Sequence, residues 1–568
     1  MRKRADFVEA SRFWKAAQVW FRFKQRLGLT LGRDIPQLPD AHYAEHVSPA
    51  DPYAHWLAEN ALRENDVERL RGMVGLLPVR PSFAFIPVAA GPAEPARIAA
   101  NLEEQVYGAW SVAPPGDVNA TLRATSSDFV AIVEAGVALT PDALFEVALA
   151  LAKNPTLDVI YSDHDTLTPA GARVDPHFKP DWSPETLLSR MYLGPLVFYR
   201  RSAVVDAGGL RPEFGTAALF DLALRVTEAT DRIAHLPRIL YHVRATQPQP
   251  PHDGERAQAA IAEALVRRGE SGRTSPVAGS AGSYHIRYAL ESAPRVRVIL
   301  PTRDNAADLS TALRSLFERT TYSNFGVLLI DNGSKDPATL RLLEEWSARE
   351  PARLKVHRLD IPFNFSKLNN EAARLADAEF LLFLNDDTEI LTADWIEAML
   401  EQARRPAIGA VGARLLYRDG SVQHAGVILG IRGIAGHAHR FFPGDAQGYL
   451  GSLQAITNYS AVTAACLMMR RAVFDEVGGF DEELAIEFND IDLCLRVRRA
   501  NYRIVYLPHV VLYHSESKSR GDADNVLKTM VRVREQGLMH ERWDVANYAD
   551  PYYNANLTLE AEDFSVRH

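Results

Sequence analysis

Two hydrophobic patterns alternate along the C-terminal half of the chain. Continuous apolar runs, such as VLLI at 327–330 and FLLFL at 380–384, have the length of buried strands. The segments between them, such as 338–350 and 395–405, repeat apolar residues at helical spacing. Strands that alternate with helices predict an α/β fold with mostly parallel sheets flanked by helices. Ligands of such folds bind at the carboxyl ends of the strands.

The N-terminal half repeats this pattern. The segment 191–214 parallels 460–484, and FDLALRV at 220–226 parallels IDLCLRV at 491–497. In each half, 12 positions separate the arginine of that heptapeptide from the proline of a later Leu-Pro pair. A duplication is the simplest account, and it predicts two tandem domains of one fold.

The repeat also suggests the domain organisation. A stretch rich in proline, glycine and serine separates the halves, as expected for a connector. We predict a helical N-terminal segment at 1–75, a first α/β domain at 76–250, a connector at 251–290 and a second α/β domain at 291–568.

Composition and charge exclude several classes of protein. The 568 residues, 47% hydrophobic and 24% charged, are typical of a soluble multidomain protein. A formal charge of −9 argues against a general nucleic-acid binder. Two cysteines, Cys466 and Cys494, are too few for a disulfide framework or a four-cysteine zinc site. Because no uninterrupted apolar run approaches 18 residues and no signal-peptide pattern occurs, we expect a cytoplasmic protein.

The first thirty residues interleave aromatic and basic side chains, which predicts a basic amphipathic helix. Such a helix can lie on the anionic inner face of the membrane, or it can dock its aromatic stripe on the next domain. The sequence leaves both alternatives open. The residues concerned are Arg12, Phe13, Trp14, Lys15, Val19, Trp20, Phe21, Arg22, Lys24, Arg26 and Leu27.

An acidic cluster follows the strand FLLFL directly, as Asn385, Asp386 and Asp387. Carboxylates at the end of a buried strand are held on a rigid mount, and hard oxygen ligands suit Mg²⁺ or Mn²⁺. Such a cation can bridge the phosphates of a bound nucleotide. The alternative is an acidic turn that only caps the next helix.

A second pair of carboxylates, Asp490 and Asp492, lies at the start of a predicted helix. Their spacing lets one point into a cleft while the other caps the helix or pairs with Arg496, four residues on. A positioned carboxylate can act as the general base that deprotonates a sugar hydroxyl. The alternative is two helix acids without a catalytic role.

His514 follows the apolar run VVLY, where a neutral imidazole can complete the shell of a metal ion. A single strand-end histidine can equally be structural. Lys518 and Arg520 follow it, and they can either contact phosphate or remain solvated.

The run from Val296 to Gly521 resembles the family 2 glycosyltransferases of the GT-A fold, especially the bacterial polysaccharide and O-antigen branch that includes rhamnosyltransferases. The motifs that carry this resemblance are ILPTRDN, LLIDNGSKD, IPFNFSKLNNEA, FLLFLNDDTE, GAVGARLLYRDGSVQHAGVILG, NYSAVTAACLMMRR, VGGFDE, FNDIDLCLR, HSESKSRG and the tail DPYYNANLTL. The resemblance implies two tandem GT-A-like, Rossmann-like domains.

The resemblance also assigns roles to residues. It implies that Asp490 is the catalytic base and that Asp387, with Asn385 and His514, holds a divalent cation. Because the first position of the metal motif is Asn rather than Asp, Asp387 is the expected direct ligand. The residues implied to bind the nucleotide-sugar are Pro301, Thr302, Asp304, Asp331, Asn332, Asn369, Asp386, His424 and Gly426.

The N-terminal half departs from the family pattern. Glu134, Ala135 and Gly136 replace the strand-end cluster, Leu219 replaces the base, and about 36 residues of the nucleotide-binding region are missing. We expect a degenerate domain kept for packing, acceptor handling or partner contact. A metal site at Asp163 and Asp165 is a weaker alternative, because this pair follows a later strand.

These observations predict an inverting glycosyltransferase that moves a sugar from a nucleotide-sugar to a saccharide or lipid-linked acceptor in O-antigen-like polysaccharide biosynthesis. A catalytically silent carbohydrate-binding or scaffold protein is one alternative. A nucleotidyltransferase or a dehydrogenase is another, although neither half contains a G-x-G-x-x-G or G-x-x-x-x-G-K-[ST] motif.

Overall fold

The computed structural model describes residues 51–88, 93–245, 254–515 and 525–567. Tyr53–His568 forms one compact unit. The predicted amphipathic helix in the first thirty residues, and Lys518 with Arg520, lie outside the described residues. No helix in the described ranges is long and apolar enough to cross a membrane.

Helices occupy both halves and the segment before them. The second part of the predicted N-terminal segment is helical, because α1 and α2 fall within it. The helices are α1 (Pro52–Asn60), α2 (Glu64–Val74), α3 (Glu94–Leu102), α4 (Val118–Ala124), α5 (Ala143–Lys153), α6 (Pro184–Ser189), α7 (Arg201–Asp206), α8 (Ala218–Glu228), α9 (Gly254–Arg267), α10 (Ala306–Arg319), α11 (Pro337–Arg349), α12 (Phe365–Leu375), α13 (Trp395–Ala403), α14 (Arg471–Glu476), α15 (Asn489–Arg499) and α16 (Asn525–Trp543).

The first half contains one large sheet, and a small two-stranded sheet follows within the predicted connector. The strands of the large sheet are β1 (Phe83–Pro87), β2 (Trp110–Val112), β3 (Phe129–Val133), β4 (Val137–Leu139), β5 (Val159–Leu167), β6 (Arg173–His177), β7 (Val197–Arg200) and β8 (Ile233–Arg244). The small sheet pairs β9 (Gly272–Pro276) with β10 (Tyr284–Tyr288).

The second half contains a larger sheet and another two-stranded one. The strands of the larger sheet are β11 (Val296–Thr302), β12 (Phe325–Asp331), β13 (Leu354–Arg358), β14 (Phe380–Leu384), β15 (Thr388–Ile390), β16 (Ile408–Leu416), β17 (Val422–His424), β20 (Thr457–Asn458), β21 (Cys466–Arg470) and β22 (Arg503–His514). The small sheet pairs β18 (Val427–Leu429) with β19 (Ala435–His437).

The two large sheets have the same topology. The first has the order β2-β1-β3-β7-β5-β8-β4, and the second has β13-β12-β11-β14-β21-β16-β22-β15. Each neighbouring pair in the first sheet has the same relative direction as its counterpart in the second. The shared order confirms the predicted fold class and the internal repeat, whereas the domain boundaries stay predictions.

Strand direction needs one refinement. The strands before the middle of each sheet are parallel, as predicted, but β21 runs antiparallel to both of its neighbours and β15 runs antiparallel to β22. Both sheets are therefore mixed. The sequence pattern did not show this, because apolar runs indicate which strands are buried but not the direction in which they run.

The first sheet also lacks a counterpart of β13. In the described stretch 93–245, only α4 connects β2 to β3, whereas α11, β13 and α12 connect β12 to β14. This shorter connection is where the sequence lacks part of the nucleotide-binding region.

A buried ion cluster joins the two halves. Glu185 on α6 accepts hydrogen bonds from Arg503 and Arg405 and from the side-chain amide of Asn458, which lies 2.8 Å away. Burial alone would raise the pKa of Glu185, but the pairs with Arg503 and Arg405 outweigh it and lower the pKa to about 2. The halves are therefore held together by specific polar contacts as well as by packing.

Candidate active site

The strand-end cluster lies where the sequence predicts it. Strand β14 is fully buried, and Asp386 directly after it accepts a 2.6 Å hydrogen bond from the hydroxyl of Thr302 at the end of β11. Burial and the neighbouring Asp387 raise the pKa of Asp386 to about 7, against the opposing effect of Thr302. Two predicted nucleotide-sugar residues are thus in direct contact.

Asp387 and His514 form the predicted metal pair. Strand β15 pairs with β22, which places Nε2 of His514 3.1 Å from Oδ1 of Asp387. Nδ2 of Asn385 lies 3.2 Å from the same nitrogen. The three residues assigned to the metal are therefore brought together.

Gln423 fixes the tautomer of His514. Its Nε2 donates to the backbone carbonyl of His514 at 3.3 Å, so its Oε1 faces Nδ1 at 2.6 Å and accepts from it. In the neutral imidazole this leaves Nε2 as a lone-pair acceptor facing Asp387. The sequence analysis missed Gln423, although it is adjacent to His424.

The donor chemistry of this pair suits a divalent cation. Two acceptors 3.1 Å apart repel each other unless a proton or a cation lies between them, and a carboxylate with an imidazole suits Mn²⁺ or Mg²⁺. Within the described ranges, no group of three or more His, Cys, Asp or Glu side chains could hold a metal ion. A cation at Asp387 and His514 would therefore need ligands besides these two side chains.

The predicted nucleotide residues lie at the ends of β11 and β12. Asp331 accepts from Nη1 of Arg358 at 2.7 Å and from the backbone amide of Ser334 at 2.8 Å. Asp304, in a left-handed turn, accepts from the amides of Asp336 and Lys335, which lower its pKa. Pro301, also at the end of β11, pairs with β12. Arg358, which ends β13, was missed because it lies 27 positions after its partner.

Two buried asparagines belong to the same region. Asn332 donates to the carbonyls of Leu359 and Ile361 at 2.9 and 2.8 Å, and Asn369 donates to Phe365 at 2.8 Å within α12. The side-chain oxygens of both asparagines have no hydrogen-bond partner among the described residues. They are acceptors that a ligand or water can satisfy.

The two carboxylates of α15 have different environments. Asp490 is partly exposed, and its carboxylate accepts from the amides of Ala464 at 3.0 Å and Ile491 at 2.9 Å. Burial raises its pKa, and the hydrogen bonds oppose this. Asp492 is buried and pairs with Arg496 at 2.8 Å, which confirms the predicted separation of the two.

The side chain of His424 is fully buried. Its Nε2 faces the backbone amides of Gly426 at 3.3 Å and Thr463 at 3.4 Å, and its Nδ1 lies 2.7 Å from Nδ1 of His437. Burial, with His437 and His514 nearby, lowers its pKa well below the usual range. His424 is therefore neutral, and its Nδ1 donates to His437. The sequence analysis missed His437, although it lies in the same short segment as His424.

Gly426 is constrained by its surroundings. It has φ +108°, and any Cβ at this position would collide with the ring of Tyr459. A glycine is therefore required where the chain turns away from His424.

The segment 463–465 connects these clusters. The amide of Ala464 bonds to Asp490, the amide of Thr463 faces His424, and the carbonyl of Ala465 accepts from the amide of Asn385 at 3.1 Å. The predicted base, metal and sugar residues therefore surround one short piece of backbone. The motif NYSAVTAACLMMRR contains this segment, but the roles of its backbone groups have no sequence signature and could not be predicted.

The carboxylates of Asp163 and Asp165, on β5 of the first half, are enclosed by other side chains. The carboxylate of Asp165 is fully buried and accepts from Tyr53, Arg173 and His242. Asp163, also fully buried, is bonded as well, to partners that include His235, Asn554 and the amide of Lys179. Both carboxylates are engaged in internal pairs, which argues against the alternative metal site.

Leu219 and Glu134 stand where the second half has Asp490 and Asn385. Leu219 packs against the hydrophobic core, and Glu134 follows β3, the counterpart of β14. The first half thus presents neither the predicted base nor the predicted metal residues at its strand ends.

Comparison with known proteins identifies the class of the second half. Residues 297–478 match the profile of the family described as Glycosyl transferase family 2. Residues 297–478 are therefore similar to family 2 glycosyltransferases, which confirms the resemblance seen in the sequence.

Curated relatives extend over both halves. An uncharacterized protein of Sinorhizobium fredii is 39% identical over 461 residues, which are 78% of this chain and 50% of that protein. An O-antigen biosynthesis protein of Myxococcus xanthus is 39% identical over 458 residues, 79% of this chain and 35% of that protein. An O-antigen chain rhamnosyltransferase of Salmonella typhimurium is 25% identical over 230 residues, 39% of this chain and 67% of that protein. The chain spans half or less of the length of the first two.

Among solved structures, a mannosyltransferase from Pyrobaculum calidifontis, in complex with GDP-Man and Mn²⁺, is 18% identical. The match covers 46% of this chain and 68% of that chain with a TM-score of 0.35. A likeness this distant says nothing about activity.

Proposed function

We propose that the chain is an inverting glycosyltransferase that moves a sugar from a nucleotide-sugar donor to a saccharide or lipid-linked acceptor. The observation that carries this proposal is that the segment 463–465 bonds both to Asp490 and to Asn385, which lies beside Asp387 and His514. The profile match at residues 297–478 supports it. The names of two relatives, from Myxococcus xanthus and Salmonella typhimurium, favour O-antigen-like polysaccharide as the product.

Asp490 is the proposed general base. Its carboxylate takes the proton from an acceptor hydroxyl, the resulting oxygen attacks the anomeric carbon, and the bond to the nucleoside diphosphate breaks. One displacement inverts the anomeric configuration, so no covalent sugar-enzyme intermediate is needed. The raised pKa of Asp490, caused by burial, makes it a stronger base than an exposed aspartate.

The donor binds across the ends of β11, β12 and β14 in this proposal. Asp331, Asp304 and Asn332 hold the nucleoside end with Arg358, while Thr302 and Asp386 lie nearer the phosphates. His424 and Gly426, with His437, shape the sugar pocket. The polar contacts of these residues orient the donor so that its anomeric carbon faces Asp490.

Asp387 and His514 are the residues that would hold a divalent cation, with Asn385 beside them. When bound, Mg²⁺ or Mn²⁺ supplies positive charge that stabilises the departing diphosphate. Gln423 keeps the Nε2 lone pair of His514 directed at this position.

The predicted division into a degenerate domain at 76–250 and a catalytic domain at 291–568 belongs to this proposal, as does the cytoplasmic location. The replacement of the strand-end cluster by Glu134, Ala135 and Gly136, and of the base by Leu219, supports the division.

The direct test measures release of nucleoside diphosphate from a panel of nucleotide-sugars with Mn²⁺ present. We expect slow hydrolysis or transfer from at least one donor by the wild-type protein. The same assay with Asp490→Asn gives the background. Absence of turnover with every donor, in protein that binds nucleoside diphosphate, would favour the silent carbohydrate-binding or scaffold alternative.

Replacing Asp387 with alanine is expected to remove metal-dependent donor binding. The variant loses the carboxylate that faces His514, so the affinity for nucleotide-sugar in Mn²⁺ should fall by about 100-fold or more, since even outer-shell losses cost about 10–100-fold. Isothermal titration with Mn²⁺ and with a chelator measures this. Asp419→Ala, an exposed aspartate in a turn of the same half, is the control. Equal wild-type affinity with metal and with chelator would reject the metal site.

Variants of Gln423 change what orients His514 without removing the histidine itself. Gln423→Leu removes both bonds to His514 and should weaken Mn²⁺ binding by about 10–100-fold. Gln423→Glu keeps an acceptor for Nδ1 and should remain within a few-fold of wild type. Titration of Mn²⁺ followed by electron paramagnetic resonance gives both affinities without an activity assay. An equal effect of the two variants would contradict the tautomer argument.

A further inference from the structure

A buried glutamate of α16 holds the backbone that leads to Asp490. Glu535 is 1% exposed, and its carboxylate accepts from three consecutive amides, those of Ala485 at 2.7 Å, Ile486 at 3.1 Å and Glu487 at 2.7 Å. One oxygen receives the first two bonds and the other receives the third. The two oxygens thus bind three neighbouring donors of one loop.

The bonded loop ends at the proposed base. Phe488 follows it in a left-handed conformation with φ 61°, and α15 then begins at Asn489, one residue before Asp490. A non-glycine residue in this region is strained unless its surroundings hold it. The three bonds to Glu535 hold the chain immediately before that residue.

The opposite side of the loop is anchored to α12. The amide of Phe365 donates to the carbonyl of Ala485 at 2.8 Å, and the hydroxyl of Ser366 donates to that of Leu484. The loop is therefore fixed between α12 on one side and α16 on the other.

The end of α16 holds the remainder of the same segment. Arg542 pairs with Asp481 and Glu483 at 2.6 Å each, and Nε1 of Trp543 donates to Asp492 at 2.9 Å. One helix thus contacts the segment 481–492 before, within and after the loop. The last of these contacts lies two residues beyond the base.

Packing alone does not account for a charged residue at position 535. A buried carboxylate carries a desolvation cost that only charge-assisted hydrogen bonds offset, and an apolar residue would fill the volume without it. That cost shows in the pKa of Glu535, which burial raises against the three amide bonds. A carboxylate is nevertheless suited to this place, because three donors converge on it.

We propose that Glu535 is a positioning residue that fixes the orientation of Asp490 through the amides of residues 485–487. This inference rests on the proposed function, since it takes Asp490 as the base. Glu535 does not touch substrate, so its loss should lower kcat and leave the affinity for the nucleotide unchanged.

The test is a graded pair of variants in the full-length protein. Glu535→Gln keeps one acceptor oxygen but turns an NH2 group toward the loop, and we expect kcat to fall by about 10-fold. Glu535→Ala leaves all three amides without an acceptor, and we expect about 100-fold, the effect of a displacement of about 1 Å at a reacting group. Affinity for nucleoside diphosphate, measured by calorimetry, should stay within about two-fold of wild type in both variants.

Two control variants on the same helix separate positioning from stability. Glu541→Gln makes the same change at an exposed site and should behave as wild type. Met539→Ala removes a fully buried apolar side chain, so it lowers the melting temperature without removing a bond to the loop. A kcat for Glu535→Gln that matches that of a Met539→Ala variant of equal melting temperature would overturn the inference.

Hydrogen exchange gives a readout that needs no substrate. The amides of residues 485–487 should exchange faster in Glu535→Gln than in wild type, while those of the β11 and β12 strands should not change. Unchanged exchange at these amides would show that Glu535 does not hold the loop, and it would overturn the inference. Wild-type protein without any sugar transfer would instead overturn the proposed function and the role of Asp490, even if the exchange result holds.

Discussion

Asp490→Asn is expected to lower the turnover of nucleotide-sugar by about 100-fold or more while the donor binds as in wild type. The amide keeps one oxygen as an acceptor for the bond from Ala464, so the local backbone should persist. What it loses is the basic oxygen that takes the proton. Turnover and calorimetric donor affinity, measured on the same preparation, test both parts of this expectation.

Asp492→Asn is the matched control, because the same change is made two residues away on the same helix. An asparagine at position 492 can still accept from Trp543 but loses the charge that pairs with Arg496, so the change should lower the melting temperature more than the turnover. The carboxylate of Asp490 accepts instead from two backbone amides and the hydroxyl of Thr463, and its variant should show the reverse. Near-wild-type turnover of Asp490→Asn would reject its assignment as the base.

Several site residues could be predicted because each ends a buried strand. Asn385, Asp386 and Asp387 follow an apolar run of five residues, and His514 follows another, so their place at the carboxyl edge follows from the pattern alone. Their mutual contact required the pairing of β15 with β22, which brings together residues far apart in sequence. The family resemblance supplied their shared role, which hydrophobic periodicity could not.

The residues that were missed act through the backbone or through other side chains. Ala464 contributes an amide, Gln423 orients a histidine 91 positions away, and Glu535 binds three amides 48 to 50 positions away. None of these roles depends on a residue type that stands out in a single sequence. Such partners become visible only when the fold supplies distances and burial.

Strand direction was the part of the fold that the pattern could not give. The apolar runs of β14 and β21 are equally buried, yet the strands are antiparallel neighbours. The internal repeat predicts that two sheets from related segments share one topology, but it does not give the directions of the strands.

The N-terminal half is expected to bind no nucleotide-sugar, so that the full-length protein has one donor site, within residues 291–568. Three differences lead to this expectation: the described part of the first half has no counterpart of β13, Leu219 replaces the base, and Glu134, Ala135 and Gly136 replace the strand-end cluster. Together they remove the base, the predicted cation site and part of the nucleotide pocket, so no single change could restore donor binding.

Calorimetric titration of the full-length protein with donor and Mn²⁺ should therefore give a stoichiometry of one. The double variant Asp331→Ala, Asp387→Ala removes a residue from each end of the proposed donor site and should abolish binding altogether. Arg173→Gln, which weakens the cluster around Asp165 in the first half, is the matched control and should leave the stoichiometry and the affinity unchanged. A second site in the wild-type protein, or binding that survives the double variant, would show that the first half still binds nucleotide.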